Sequence, residues 1–388
     1  MAAVAAAAIG EIDLLALALA ITVLPLLSFL YLVLVPPRLR HQRSLEPSTM
    51  PVGETSRVVL RAVNDAPAQA SPLRISDAAD QAVGGGASFV IARGFGRWQQ
   101  GVSYSVVADS RGRFQIGPLT AKATDPLAMA SRTVTSAGSD STLRVTPKVW
   151  ELNELPSGAG LGAAGDATPQ RIGQAGADDV LVREHRHGDD MRRVHWKMSA
   201  KRDDLMVRLE EHPWDPSSTL IVDTRLSAHA DHGPRGSLEW AVSAVASVAR
   251  LLLVGRYRLS IVAPSGTVFE SGHAVGPLAR QAMLNALTDL ASSEHTWLGE
   301  AFNDPEAVSS AASVVAVTGL LSAADAAALS AAGASARSKI ALVPDAPTWG
   351  TPSAEHEDAC LLLAKHGWTV ATYAQGETVP EAWGRVNA

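Results

Sequence analysis

Thr219-Leu220-Ile221-Val222-Asp223 is a short, uninterrupted apolar run that stops at an acid. Successive strand residues face opposite ways, so a run without polar alternation is a strand buried on both faces, the habit of a parallel sheet. The chain beyond it repeats the theme. Gly236–Val254 carries a helical period, Arg258–Ala263 reads as a strand, Pro277–Ala291 as a helix and Ser313–Val317 as a strand. Ser322–Ala332 is a helix whose Ser322 and Asp325 are spaced close to a capping box, and Lys339–Val343 is a strand. Ser353–His366 is a helix ended by Gly367, and Thr369–Tyr373 is the last strand. This alternation predicts a doubly wound α/β domain: an open, mostly parallel sheet with helices on both faces.

Ligands of such sheets bind beyond the carboxyl ends of the strands, which places Asp223-Thr224-Arg225-Leu226-Ser227 first for inspection. These residues resemble the metal-adhesion motif Asp-x-Ser-x-Ser of von Willebrand factor A domains, where Mg²⁺ is held by oxygens. Here the middle ligand position is Arg225, a permanent cation that donates and never coordinates. The later strand ends in Thr318-Gly319 rather than in an acid. A divalent cation wants about six oxygens, so Asp223, Arg225 and Ser227 form a degenerate motif expected to hold no metal. Asp223 is expected to pair with Arg225 or to cap the next helix. His229, Asp231 and His232 follow in a loop with no third protein ligand pinned nearby, which reads as a solvated loop rather than a zinc site.

Upstream lies the densest charge in the chain, Arg183-Glu184-His185-Arg186-His187-Gly188-Asp189-Asp190-Met191-Arg192-Arg193-Val194-His195-Trp196-Lys197. As a metal site it would offer His185, His187, Asp189, Asp190 and His195, but the interleaved arginines oppose a cation. As a nucleic-acid patch it would offer arginines and Trp196, but Glu184 and the Asp pair repel phosphate. The favoured reading is an ion-pair clamp, in which acids and arginines pair in bidentate geometry while Val194 and Trp196 pack inward. Such a clamp is a structural lock or a partner-docking surface. The competing class is a hydrolase that uses His195 with Asp189 or Asp190 as acid–base groups. No phosphate-binding loop or nucleophile elbow is present, and Cys360, on an amphipathic helix beside Leu361–Leu363, reads as a buried thiol.

Residues 45–150 read as all-β. Ser56–Val63, Ala87–Ala92, Val102–Ala108, Arg113–Ile116 and Thr142–Val145 alternate and are separated by Gly, Pro, Asn and Asp turns, which predicts a small immunoglobulin-like sandwich. Residues 151–180, rich in Gly and Ala, read as a flexible linker to the segment 181–388.

Residues 1–43 read as a membrane anchor. From Leu14 to Val35 no residue is charged, a length that crosses a hydrocarbon core of about 30 Å. Acids precede the span and Arg38, Arg40 and Arg43 follow it, so the positive-inside rule predicts cytoplasmic soluble domains under a bacterial plasma membrane. A net charge of −6 gives no global footprint for nucleic acid, and a single cysteine forms no internal disulfide.

Arg183-Glu184-x-x-x-Gly188-Asp189-Asp190-x-Arg192-Arg193-x-His195-Trp196-Lys197-x-Ser199-Ala200 closely resembles the hallmark of the bacterial family catalogued as domain of unknown function 58. Arg111-Gly112-Arg113-Phe114-x-Ile116-Gly117-Pro118 and Asp125-Pro126-Leu127 are similar to its β-domain. The resemblance implies a membrane anchor, a β-sandwich and a von Willebrand A-like domain. It also implies association with MoxR-type AAA+ ATPases and, in many cases, transglutaminase-like membrane proteins. Many members carry a hairpin of two membrane helices, whereas Ala2–Ile9 is too short to span. The expectation is therefore a membrane-anchored, non-enzymatic adaptor that needs no cofactor or metal, contacts the bilayer through its N-terminal helix and binds no nucleic acid.

Overall fold

The computed structural model describes residues 12–66, 73–91, 96–153, 182–184, 196–202, 204–208, 217–272, 276–302 and 311–386. The chain forms two compact units, Met1–Val149 with Leu284–Leu290, and Trp150–Met283 with Ala291–Ala388.

The first unit begins with helix α1, Ile12–Leu34, which contains Pro25. Its segment Ala16–Leu34 is long and apolar enough to cross a membrane. Leu17, Leu19, Ile21, Leu26 and Phe29 are exposed along it. Large apolar side chains around a helix with nothing to cover them are suited to lipid. Nine strands follow among the described residues: β1 Leu39–Glu46, β2 Thr49–Pro51, β3 Thr55–Asn64, β4 Leu73–Ala79, β5 Gly86–Ile91, β6 Trp98–Val107, β7 Gly112–Thr124, β8 Ser131–Thr135 and β9 Ser141–Thr146. One sheet runs β1-β3-β6 and the other β2-β9-β7-β4-β5, with β8 on β7. Along β3 burial alternates, so Val58, Leu60 and Ala62 turn inward. Leu60 shares a core with Ile75, Leu119 and Ala121 of the other sheet, while Val58 packs with Ile116, Leu143 and Val145. The strand order begins at Leu39, so Arg40 and Arg43 lie within β1 rather than in a free juxtamembrane segment. Arg43 forms a fully buried pair with Asp77, and Arg40 pairs with Asp65.

The second unit contains a short antiparallel pair, β10 Val182–Glu184 with β11 Met206–Arg208, and between them helix α2, Trp196–Arg202. Its main sheet is built from β12 Ser217–Val222, β13 Arg258–Ala263, β14 Gly266–Glu270, β15 Ser313–Val317, β16 Ser338–Pro344 and β17 Thr369–Tyr373, in the order β14-β13-β12-β15-β16-β17. All neighbours are parallel except the edge pair β13–β14. Every residue of β15 is buried, as both faces are covered. The covering helices are α3 Ser237–Val254, α5 Ala323–Ala332, α6 Ala354–Lys365 and α7 Val379–Gly384, while α4, Pro277–Asp289, is divided between the two units. Helix α3 is also long and apolar enough to cross a membrane, but most of it is buried, as befits a core helix. The expected capping box of α5 is present: Ser322 accepts from the Asp325 amide, and the Asp325 carboxylate accepts from the Ser322 amide.

Candidate functional site at the carboxyl edge of the sheet

Strand β12 delivers Asp223 to the carboxyl edge, and the next turn brings Arg225 back over it. The Arg225 guanidinium donates from Nε to Asp223 Oδ1 at 2.9 Å and from Nη2 to Oδ2 at 2.8 Å. Its Nη1 donates to both oxygens of Asp325, at 3.0 and 3.1 Å, and to the Thr296 carbonyl at 3.2 Å. Nη2 also reaches the Leu320 carbonyl at 3.3 Å. A guanidinium has five N–H donors in a fixed fork, and all of these directions are used. Arg225, Asp223 and Asp325 are 3%, 0% and 2% exposed, so the cluster is dry. Burial alone would lower the pKa of Arg225, but the two carboxylates outweigh it and push it up.

The carboxylates hold backbone as well. Asp223 accepts from the amides of Arg225 and Gly319, and Asp325 from those of Leu298 and Ser322. Gly319 is required here because a Cβ would sit 2.3 Å from the Ala228 carbonyl, whose oxygen accepts from the Leu320 amide. A second stitch lies alongside: Leu226 N donates to the Ser293 carbonyl at 2.8 Å and Ser293 N to that of Thr224 at 2.7 Å. One cation thus binds four pieces of chain: the ends of β12 and β15, the 293–298 segment and the start of α5.

The neighbouring histidines are structural. His229 Nε2 donates to the Asp223 carbonyl at 2.8 Å, and its Nδ1 faces Ser237 Oγ at 2.9 Å. His356 Nδ1 accepts from the Leu321 amide while Nε2 donates to the Pro344 carbonyl. Burial lowers both pKa values, which keeps these rings neutral. Tyr373 stacks on Trp240 with ring centroids 3.9 Å apart and donates to the Thr318 carbonyl. Burial raises the Cys360 thiol to about 11, so it is no nucleophile at neutral pH. Among the described residues no three His, Cys, Asp or Glu side chains gather as a metal site.

Of the three motif residues, the structure brings Asp223 and Arg225 together and leaves Ser227 exposed outside the network. Asp325 and the 293–298 segment were absent from the expected site. The capping-box spacing was the available signal for Asp325, though not for its partner. In the charged block, the backbones of Arg183 and Glu184 lie in β10, opposite Val207 and Met206, and Lys197 lies in α2. Gly188, Asp189, Asp190, Arg192, Arg193 and His195 lie outside the described residues. Trp196 does not pack inward as expected: at the first position of α2 it is 66% exposed. The contact that anchors α2 is Ser199, whose hydroxyl accepts from the buried Met206 at 2.8 Å.

Residues 181–343, 163 of the 388, match the family model described as "Protein of unknown function DUF58". No curated protein matches the chain. Among solved structures, the chain is similar to the CARDB domain of the PF1109 protein from Pyrococcus furiosus, at 10% identity and a TM-score of 0.21, over 28% of this chain and 93% of that one. It is also similar to the alkylpurine DNA glycosylase AlkC of Pseudomonas fluorescens, at 16% identity and a TM-score of 0.18, over 29% of this chain and 33% of that one. A beta-glucosidase from Listeria innocua matches at 11% identity and a TM-score of 0.18, over 28% and 16%. Likeness at this level defines no shared overall fold.

Proposed function

We infer, from the premise that this chain is a member of the DUF58 family over residues 181–343, that it is a membrane-anchored, non-enzymatic adaptor. In this reading the first unit is an immunoglobulin-like sandwich and the second a von Willebrand A-like domain. The domain docks a MoxR-type AAA+ ATPase at the carboxyl edge of its sheet, on the cytoplasmic side of a bacterial plasma membrane. A transglutaminase-like membrane protein is the further partner.

The observation that carries the reading is the pair of apolar side chains flanking the Arg225 cluster. Leu226 is 43% exposed and Trp297 46% exposed. Each directly adjoins a residue that the guanidinium holds, Arg225 itself and Thr296. An aromatic and a leucine on rigid loops bind a partner with little ordering cost, and Trp is prominent among interface hot spots. The guanidinium has no donor left for a substrate and fills the place a divalent cation would need, so docking requires no metal. The orientation rests chiefly on Arg38, since Arg40 pairs with Asp65 and Arg43 with Asp77 within the first unit.

The test is capture of ATPase by the full-length protein in neutral detergent, with and without ATP. Trp297→Ala and Leu226→Asp should each weaken capture by about tenfold or more, as hot-spot truncations do, while melting like the parent. Undiminished capture by both variants would reject this edge as the docking face. A reporter fused after Ala388 should behave as cytosolic.

A further inference from the structure

The end of α1 is built into the first unit. Leu32 is 4% exposed and shares a core with Leu39, Leu60, Ile75 and Leu119, and Arg132 donates to its carbonyl at 3.2 Å. One helical turn earlier, Ser28 is 3% exposed and lies beside Asp125. Ser28 precedes the last helical residue by six positions, about 9 Å along the axis. If Ala16–Leu34 spans the bilayer, whatever packs at Ser28 lies within the lipid's interfacial zone, because an interfacial element sits roughly 5–10 Å deep.

What packs there is the turn between β7 and β8, Asp125-Pro126-Leu127-Ala128-Met129-Ala130. The amides of Asp125, Leu127, Ala128 and Ala130 are paired within it. Asp125 Oδ2 accepts from the Leu127 amide at 2.9 Å and Oδ1 from the Ala130 amide at 2.6 Å. The Ala128 amide donates to the Asp125 carbonyl, and the Met129 amide also favours the Asp125 carboxylate. Pro126 has no N–H. Burial alone would raise the Asp125 pKa, but the amides it accepts from hold it below the usual range. Outward, the turn shows Leu127 and Met129, each 51% exposed. A turn whose amides are mostly paired and that shows two large apolar side chains enters a medium of low polarity at little cost, while its polar backbone keeps it out of the hydrocarbon centre.

We propose that the Asp125–Ala130 turn is a second membrane contact, which lays Leu127 and Met129 into the acyl–headgroup boundary of the bilayer beside α1. The contact rests on the reading of α1 as a membrane anchor. Arg132, level with Leu32, keeps its charge on the headgroup side, as arginines near membrane surfaces do.

The test uses the full-length protein in nanodiscs of phosphatidylcholine with an equal part of phosphatidylglycerol. In a Cys360→Ser background, single cysteines at Leu127, Met129, Leu24 in the helix and Glu54 at the far end of β3 carry a fluorophore. Nitroxide attached to the lipid then quenches whatever touches the bilayer. The expected result is loss of fluorescence at 24, 127 and 129 and none at 54. Loss at 24 alone would overturn the second contact and leave the anchor standing. No loss at 24 would remove the anchor and the contact together, and loss at all four, including 54, would overturn the contact as indiscriminate collision. All four positions are exposed, and melting of each labelled protein verifies that it is folded.

Discussion

Each unit buries an arginine on aspartate, and the two clusters are built for different ends. In the first unit Arg43 on β1 reaches across the core to Asp77 on β4, so the pair pins one sheet to the other. Tyr104 on β6 donates to the same carboxylate at 2.8 Å, and burial first, then Asp77, raises its pKa. The pair is electrically neutral, and Arg43 reaches one loop carbonyl besides, that of Ser139 at 3.1 Å. In the second unit one guanidinium faces two carboxylates, and those carboxylates hold four amides of loop backbone. A staple between sheets can be exchanged for hydrocarbon. A hub that organises loops cannot, because its acceptors have no substitute.

The largest expected effect is therefore at the hub. Arg225→Ala leaves two buried carboxylates uncompensated and should cost at least ~3–5 kcal/mol, the usual range for breaking a buried pair. Arg225→Lys should recover little, since a point charge cannot span both acids. Urea melts of these variants measure it, and a loss under about 1 kcal/mol would contradict a dry, saturated cluster.

The comparison is sharpest when each cluster is replaced whole. Arg43→Met with Asp77→Leu and Tyr104→Phe should melt within about 1–2 kcal/mol of the parent, as apolar replacement of buried ion pairs often does. Arg225→Met with Asp223→Leu and Asp325→Leu should fail to reach a folded state, because the amides of Gly319, Leu298 and Ser322 lose their acceptors. Equal behaviour of the two triple variants would erase the distinction.

Gly319→Ala should cost about 1–3 kcal/mol through overpacking against the Ala228 carbonyl. Smaller still is the effect of acid. His229 and His356 have folded pKa values held below the ordinary 6.5 by burial. Below that pH the unfolded chain takes up protons that the folded chain refuses, so stability should fall with acid and be fully present above it. His356→Gln should flatten that slope in a melting series across the range. At the bottom of the scale, millimolar Mg²⁺ should leave the melting temperature unchanged, since a specific ligand of the folded state would raise it.

Much of this architecture is legible in the amino-acid pattern. Arg258–Ala263, Ser313–Val317 and Thr369–Tyr373 fold with the bounds their apolar runs predict, and for Ser313–Val317 the signal is unbroken because both faces are buried. Strands β1, β4 and β8 are less visible. Arg40, His41, Gln42 and Arg43 read as a basic segment after a membrane span, and only pairing with β3 makes them a strand. Edge β14 is similarly short and largely exposed. At the candidate site, the Asp223–Arg225 pairing is a local spacing and could be foreseen. The second acid, Asp325, lies 100 positions away and is claimed locally by Ser322, so its part in the cluster emerges only when the sheet brings β12 and β15 side by side.

The docking of Leu32 into the core of the first unit also has a mechanical side. Between Leu34 and Leu39 the chain has four residues, two of them Pro36 and Pro37, and no slack. Helix and unit therefore move as one lever. With α1 in a bilayer, a pull on the strands would reach the lipid as tilt or rotation of the helix rather than be absorbed by a hinge.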